Sequence, residues 1–204
     1  MAETEIPDTA EVWLALGSGL SWCVVNRVLH GLRNWFRMIA NWIVAMRRRE
    51  KEVSDQGIIG ELLSSAQVCR LAMVDGAEPY VVPLNYGYED GVIYVHSARA
   101  GRKIEILRKN PRVCFEIETP SEVIRREVAC DWSTKARSIV GYGHVEFVED
   151  PADKRHGLDV IMAHHGQKGP NHFDDRRVNA VEILRIRIES MACKQLGVWD
   201  LTSL

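Results

Sequence analysis

The chain has 204 residues, a formal net charge of −2, and hydrophobic and charged fractions of 46% and 26%. These values are typical of a globular chain of about one domain, and the near-neutral charge gives no electrostatic reason to expect nucleic acid as a partner. The cysteines are scattered and odd in number, which argues against a disulfide framework and a metal site: Cys23, Cys69, Cys114, Cys130 and Cys193. Such a set suits a reducing compartment, so a cytoplasmic location is predicted.

The first quarter of the chain differs from the rest. Residues 12–46 contain four of the six tryptophans, with apolar residues at helical spacing and arginines between them, which predicts an amphipathic helix. Its longest uncharged run has 15 residues, fewer than the roughly 20 that a membrane span needs. Three interpretations remain open: peripheral contact with a membrane surface, packing on the main domain or a second subunit, and a true start at Met46. The predicted division is an appendage, a main domain and a tail, over residues 1–45, 46–195 and 196–204.

A short helix and a series of strands are predicted after this appendage. Apolar residues recur at helical spacing behind Ser54, a type of residue that caps helices, and then alternate as they do in strands. The predicted helices cover residues 54–66, 102–109 and 151–165, and the predicted strands cover residues 68–75, 79–88, 92–95, 112–118, 138–149 and 180–189. Residues 119–130 and 166–177 are predicted to be loops.

An antiparallel sheet accounts best for these elements. Asp75 and Gly76 form a tight-turn signal between the first two strands, and no regular βαβ repeat is present. Closing such a meander removes its exposed edges, so the predicted fold is α+β, a small β-barrel of about six antiparallel strands with flanking helices. Gly141 and Gly143 in one strand would let a flat ligand or another backbone approach closely.

The turn before the second helix carries the clearest functional signal. It holds an imidazole, a hydroxyl and three cations: His96, Ser97, Arg99, Arg102 and Lys103. The free N–H groups and the dipole of a helix start favour an anion, and Arg and Lys add charge-assisted hydrogen bonds. Spacing alone fits a phosphate cradle and a solvated basic face about equally.

Six short motifs in a fixed order add a second line of reasoning. They are VCRLAMVDG at residues 68–76, PYVVPLNYG at 79–87, IYVHS at 93–97, NPRVCF at 110–115, ACDW at 129–132 and SIVGYG at 138–143. Each motif is weak, but the ordered set resembles the pyridoxamine 5′-phosphate oxidase-like, FMN-binding split-barrel superfamily. Within it, the chain is most similar to 5-nitroimidazole-resistance nitroreductase-related proteins. The resemblance spans roughly residues 46–193.

This resemblance implies a split-barrel homodimer that binds FMN in a groove at the subunit interface. It implies phosphate contacts from Arg102 and Lys103, ring contacts from Val82, Pro83, Leu84 and Asn85, and further contacts from His96, Ser97, Arg137 and Ser138. It therefore strengthens the phosphate interpretation of the turn. The chain departs from the family at Gly101, where a serine is usual, and it lacks an evident C-terminal substrate motif, so vitamin B6 oxidation is not expected.

The predicted function is an FMN-dependent oxidoreductase that reduces a small substrate, such as a nitroaromatic, by hydride transfer from reduced flavin. His96 is the candidate proton donor because imidazole titrates near neutrality. Tyr86 and Trp132 are interpreted either as walls of a substrate pocket or as packing residues. The alternative function is a non-catalytic protein that binds flavin, haem or a deazaflavin on the same barrel.

Overall fold

The computed structural model describes residues 47–167 and 169–199. The predicted amphipathic helix over residues 12–46, and with it the membrane-contact and start-site interpretations, lies outside the described residues. In the part of the chain that is described, no helix combines the length and apolarity needed to cross a bilayer.

The described residues contain nine strands and four α-helices. The strands are β1 Glu52–Val53, β2 Val68–Asp75, β3 Glu78–Asn85, β4 Gly87–Glu89, β5 Val92–Ala98, β6 Arg112–Glu118, β7 Glu122–Ile124, β8 Ser133–Val148 and β9 Val181–Leu196. The helices are α1 Gln56–Ser65, α2 Arg102–Lys109, α3 Pro151–His164 and α4 Asp175–Ala180.

The strands pair antiparallel throughout, in the order β3-β2-β6-β8-β9-β5-β4, with β1 added to β9 and β7 to β8. The predicted α+β class with an antiparallel sheet is confirmed. The strand number is higher than the predicted six, because β1 and β7 are short extra pairings and one predicted strand is divided into β3 and β4.

This division occurs at Tyr86, between β3 and β4. The Tyr86 ring is fully buried, and its hydroxyl donates to the backbone oxygen of Leu63 at 2.7 Å. A Cβ on Gly87 would lie 2.7 Å from backbone atoms of Ile161, so only glycine lets α3 pack this closely on β4. Because these contacts come from α1 and α3, the break could not be seen in the local sequence pattern.

The main core lies on the inner face of the sheet, and the helices close it. Inward positions alternate along the strands, as in Val113, Phe115 and Ile117 of β6. The helices α1 and α2 add further buried side chains: Ile59, Leu62, Leu63, Ile104, Ile106 and Leu107. A second, smaller cluster forms between α3 and the outer face of β5 and β9: Tyr94, Val148, Val160, Ile161 and Ile183.

Several local predictions need correction. Asp55, not Ser54, caps α1, and its carboxylate accepts from the Ile58 amide. The predicted loops contain β7 and the first half of α4, while β8 and β9 each run for 16 residues, well beyond the predicted strands.

The glycines in β8 admit parts of the same chain rather than a flat ligand. The Phe115 ring occupies the place where a Gly141 side chain would lie, and the backbone oxygen of Arg187 does the same at Gly143. The expected close approach of another backbone therefore occurs at Gly143. At Gly141 a core side chain approaches instead.

Candidate functional site

The start of α2 differs from the starts of the other helices. Asp55, Asp150 and Asp174 each accept a backbone hydrogen bond at the start of α1, α3 and α4. The corresponding residue of α2 is Gly101, and no side chain caps this helix. Gly101 has φ 123° and ψ 166°, a conformation essentially reserved for glycine, which explains the departure from the usual serine. The first amides of α2 are therefore free of a side-chain acceptor.

Of the three cations in this turn, Arg99 belongs to a different cluster. Its Nε lies 3.6 Å from the carboxylate of Glu182, and its Nη1 donates to the backbone oxygen of Asn179 at 3.4 Å. Glu182 is buried at one end of the barrel and has two other cations nearby, Arg108 at 3.7 Å and Lys154 at 3.9 Å. Arg99 is thus held by Glu182 and is removed from the candidate phosphate site.

Arg102 is held at one nitrogen only. Its Nε donates to the Asp75 carboxylate at 3.4 Å, and its guanidinium lies 4.8 Å from the centre of the Tyr80 ring. Among the described residues, no acceptor is within hydrogen-bond distance of its two terminal nitrogens. These nitrogens form a fork of the kind that binds the two oxygens of a phosphate or carboxylate.

Lys103 is a half-buried cation without a carboxylate in salt-bridge distance among the described residues. Burial lowers its pKa, because the charged ammonium loses hydration that nothing nearby replaces. A bound anion would compensate this loss of hydration. The start of α2 therefore combines uncapped amides, a free guanidinium fork and an unpaired ammonium, which together suit a phosphate.

His96 and Ser97 lie near the end of the neighbouring strand β5 and point to opposite faces. Ser97 is buried on the inner face, which it shares with Ile93 and Val95. His96 is exposed on the other face, and within the described residues it makes no hydrogen bond through its side chain. Adjacent residues of a strand cannot face one ligand from the same side. Of these two residues, only His96 is therefore open to solvent and available to a ligand on the outer face.

The β3 residues expected to line a flavin ring also divide between two faces. Val82 and Leu84 pack against the main core, whereas Pro83 and Asn85 are exposed on the outer face. β3 is the last strand at one end of the sheet order. The surface available to a ring on this strand is therefore that of Pro83 and Asn85, together with the strand edge.

Arg137 is engaged within the chain. It is buried, its Nε donates to the Gln195 side chain at 2.9 Å, and its guanidinium lies 3.8 Å from the Trp199 ring centre. The carboxylate of Glu61 is 3.8 Å from its Nη1. These contacts within the chain are sufficient to hold the buried Arg137 guanidinium, so its position does not require a bound ligand.

Among the predicted cofactor contacts, Ser138 and Arg102 lie at opposite ends of one chain's sheet. Ile139, next to Ser138, lies in the same row of the sheet as Cys69, near the start of β2. Asp75, the partner of Arg102, ends β2 six residues later, which corresponds to about 20 Å of strand. One chain therefore does not bring these two residues together.

The two aromatic residues considered for a substrate pocket differ. Tyr86 is fully buried and contacts the His164 ring at a centroid distance of 4.5 Å, so it is a packing residue and the pocket prediction for it is wrong. Trp132 is 49% exposed, and its indole donates to the backbone oxygen of Arg126 at 2.9 Å.

Sequence reasoning missed the outer face of the sheet. A groove of about 420 Å³ crosses β2, β3 and β6, with Arg70, Ala72, Val81, Cys114, Glu116 and Glu118 among its lining residues. Around it, Val81 is 59% exposed, and Val74, Val140 and Tyr142 are also exposed. The available signal was that these strands carry apolar residues at outward positions as well as inward ones.

The two buried cysteines of the described residues, Cys69 and Cys193, are poor candidates for reactive thiols. Burial raises the pKa of the Cys69 thiol to about 12 and that of Cys193 to about 11, so both remain protonated at neutral pH. In the described ranges, no three His, Cys, Asp or Glu side chains are grouped so that they could hold a metal ion.

Comparison with known proteins identifies the family. Residues 55–195 match the family model described as pyridoxamine 5′-phosphate oxidase. A Bacteroides thetaiotaomicron structure named as a candidate 5-nitroimidazole antibiotic resistance protein is 33% identical, with 72% of this chain and 87% of that chain covered and a TM-score of 0.65. The split β-barrel fold is thus confirmed. This chain belongs to the pyridoxamine 5′-phosphate oxidase family.

Two other solved structures extend the comparison. An FAD-binding protein from Mesorhizobium loti is 26% identical, with 71% of this chain and 96% of that chain covered and a TM-score of 0.52. The FAD and haem binding protein from Mycobacterium smegmatis, 18% identical over 73% of this chain and 75% of that chain with a TM-score of 0.66, shares the fold alone. No curated protein sequence matches this chain.

Proposed function

We propose that this protein is a cytoplasmic, FMN-dependent oxidoreductase that reduces a small nitroaromatic substrate and works as a homodimer. The start of α2 is the observation that carries this proposal, because Arg102, Lys103 and the uncapped amides suit one phosphate group. The 33% identity to a protein named as a candidate for 5-nitroimidazole resistance supports the substrate class.

FMN suits this arrangement because it carries a single phosphate. Arg102 contacts Asp75 through Nε only, which leaves its two terminal nitrogens for a ligand, and Lys103 has no carboxylate in salt-bridge distance among the described residues. Arg99 in the same turn is paired with Glu182. The exposed side of β3, with Pro83 and Asn85, is the surface proposed for the flavin ring. These two residues pair with Arg70 and Val68, about 17–23 Å of strand from Asp75, so in the proposed homodimer the ring surface of one copy serves the phosphate site of the other. Bound flavin supplies the hydride chemistry, and the protein supplies position and charge.

His96 is the proposed proton donor to the reduced product. It is an exposed imidazole near the end of β5, five residues before the cap of α2, and its side chain is free of hydrogen bonds within the described part of the chain. A protonated imidazole can deliver its proton to an oxygen or nitrogen of a substrate bound beside it.

Replacing His96 by glutamine tests the enzymatic part of the proposal. With a reduced nicotinamide as the electron donor, we expect kcat for nitroaromatic reduction by the FMN-loaded protein to fall about 100-fold, the lower end of what a positioned general acid contributes. FMN affinity should not change. His172→Gln, which removes another exposed histidine, is the matched control. An unchanged kcat in His96→Gln would remove this residue from the mechanism.

The proposed homodimer uses the outer face of the sheet. Val81 on β3 and Val140 and Tyr142 on β8 leave apolar area exposed on either side of β2 and β6, and such a patch favours association with a second subunit. The separation of about 20 Å between Ser138 and the partner of Arg102 also favours a site completed by a second copy.

Val140→Lys tests this interface. A charge buried between two sheets costs several kcal/mol, so we expect light scattering to give a dimer for the native chain and a monomer of 23.2 kDa for the variant. Met162→Lys is the matched control, because Met162 is 38% exposed and Val140 39%, but Met162 lies on α3. A variant that remains dimeric, or a monomeric native protein, would contradict the assignment.

The four cysteines in the described residues support the cytoplasmic location. Cys69, Cys114, Cys130 and Cys193 are all free thiols, as expected in a reducing compartment.

A further inference from the structure

We infer that Asp75 and Tyr80 are positioning residues that orient Arg102 and thereby give this protein its preference for a phosphorylated flavin over riboflavin. This inference rests on the proposed flavin function. It concerns two residues at the β2–β3 hairpin, which the family resemblance does not assign to any role.

The hairpin holds the Arg102 guanidinium from two directions. Asp75, the last residue of β2, accepts from Nε at 3.4 Å, and the Tyr80 ring of β3 lies 4.8 Å from the guanidinium carbon. Tyr80 itself is fixed because it packs against the main core and is paired with Met73. Among the described residues the two terminal nitrogens have no acceptor, so both remain available for a bidentate phosphate contact.

This contact contributes little to the stability of the fold. The side chains of Asp75 and Arg102 are 39% and 51% exposed, and exposed ion pairs of this kind have small net effects. The contact between Asp75 and Arg102 instead fixes the orientation of the guanidinium. A free arginine side chain has several rotatable bonds, and fixing them before the ligand arrives reduces the entropy lost on binding.

Two physical effects of Asp75 have opposite signs. As a negative charge near the phosphate, Asp75 repels it, so electrostatics alone predicts that removing the carboxylate tightens FMN binding. As the residue that orients Arg102, it favours the phosphate contact, so its removal should weaken FMN binding. The sign of the change therefore decides between the two roles.

The experiment measures the dissociation constants of FMN and riboflavin for the full chain by flavin fluorescence. We expect Asp75→Ala to weaken FMN binding about three- to tenfold, and Tyr80→Leu about two- to fivefold, with riboflavin unchanged in both. Tyr80→Phe keeps the ring and should bind FMN as the native chain does. Glu78→Ala is the matched control, because Glu78 pairs with Asp75 in the hairpin but does not contact Arg102.

A double-mutant cycle with Arg102→Ala isolates the positioning role. In that background Asp75→Ala should weaken FMN binding no further, because the side chain that it orients is gone. Tighter or unchanged FMN binding in Asp75→Ala, or a loss that persists without Arg102, would overturn the inference. If Arg102→Ala itself leaves the FMN-to-riboflavin preference intact, the proposed phosphate site is wrong, and this inference is wrong with it.

Discussion

Replacing Arg102 and Lys103 together by alanine will weaken FMN binding about 100-fold or more, since each hydrogen bond to a charged group contributes about 1.5–3 kcal/mol. Riboflavin, which has the same ring but no phosphate, should bind the native chain and the variant with equal affinity. Equilibrium titration of the two flavins measures both effects. Added salt should weaken FMN binding to the native chain, because ions screen the attraction between the cations and the phosphate. The difference in FMN affinity between the native chain and the variant should therefore shrink as the salt concentration rises.

The controls for this prediction lie in the same turn and helix. Arg99→Ala and Arg108→Ala each remove a cation that is paired with Glu182, at 3.6 Å and 3.7 Å, and should change FMN affinity only slightly. A loss as large in these variants as in the double mutant would mean that net charge, not the site at the start of α2, controls binding. Equal losses for riboflavin and FMN would mean that the variant had disturbed the ring site or the fold.

Replacing Glu182 by alanine will lower the free energy of unfolding by about 3 kcal/mol, a value typical of breaking a buried ion pair on one side. The Glu182 and Lys154 side chains are only 9% and 10% exposed. Without the carboxylate, the ammonium of Lys154 keeps its hydrogen bond to the backbone oxygen of Val181 at 3.1 Å but has lost its counter-ion. Urea unfolding followed by circular dichroism measures the change.

Two further variants make the Glu182 result specific. Glu182→Ala combined with Lys154→Met should recover much of the lost stability, because it replaces the unpaired charge with an apolar side chain. Glu118→Ala breaks an ion pair with Arg70 whose side chains are 45% and 46% exposed, so its effect should stay below about 1 kcal/mol. A loss below that value in Glu182→Ala would show that the cluster does not stabilise the barrel.

Much of the strand pattern could be predicted from the sequence because it depends on neighbours in the chain. β2, α2 and β6 begin and end where alternation, helical spacing and the Asn110-Pro111 stop signal place them. The division at Tyr86 depends instead on Leu63 and on the backbone of α3, which are distant in sequence. Local pattern could not reveal it, and for the same reason it could not decide whether Tyr86 lines a pocket or packs in the core.

The candidate site shows the same limit. The residues of the turn alone fitted a phosphate cradle and a solvated basic face equally well, and they did not distinguish Arg99 from Arg102 and Lys103. That distinction depends on where the carboxylates lie: Asp75 is 27 residues from Arg102, and Glu182 is brought to Arg99 by the pairing of β5 and β9. The distance between Ser138 and Asp75 along the sheet likewise depends on long-range pairing, here of β2 with β6 and of β6 with β8. No short motif could indicate it.

The most direct test of the account is the absorption spectrum of the purified protein after incubation with FMN and gel filtration, followed by heat release of the bound cofactor. The account predicts the two visible and near-ultraviolet bands of an oxidised flavin, and release of FMN, not FAD, in a stoichiometric amount. A colourless protein that takes up no FMN would contradict the central claim that the start of α2 binds the phosphate of a flavin.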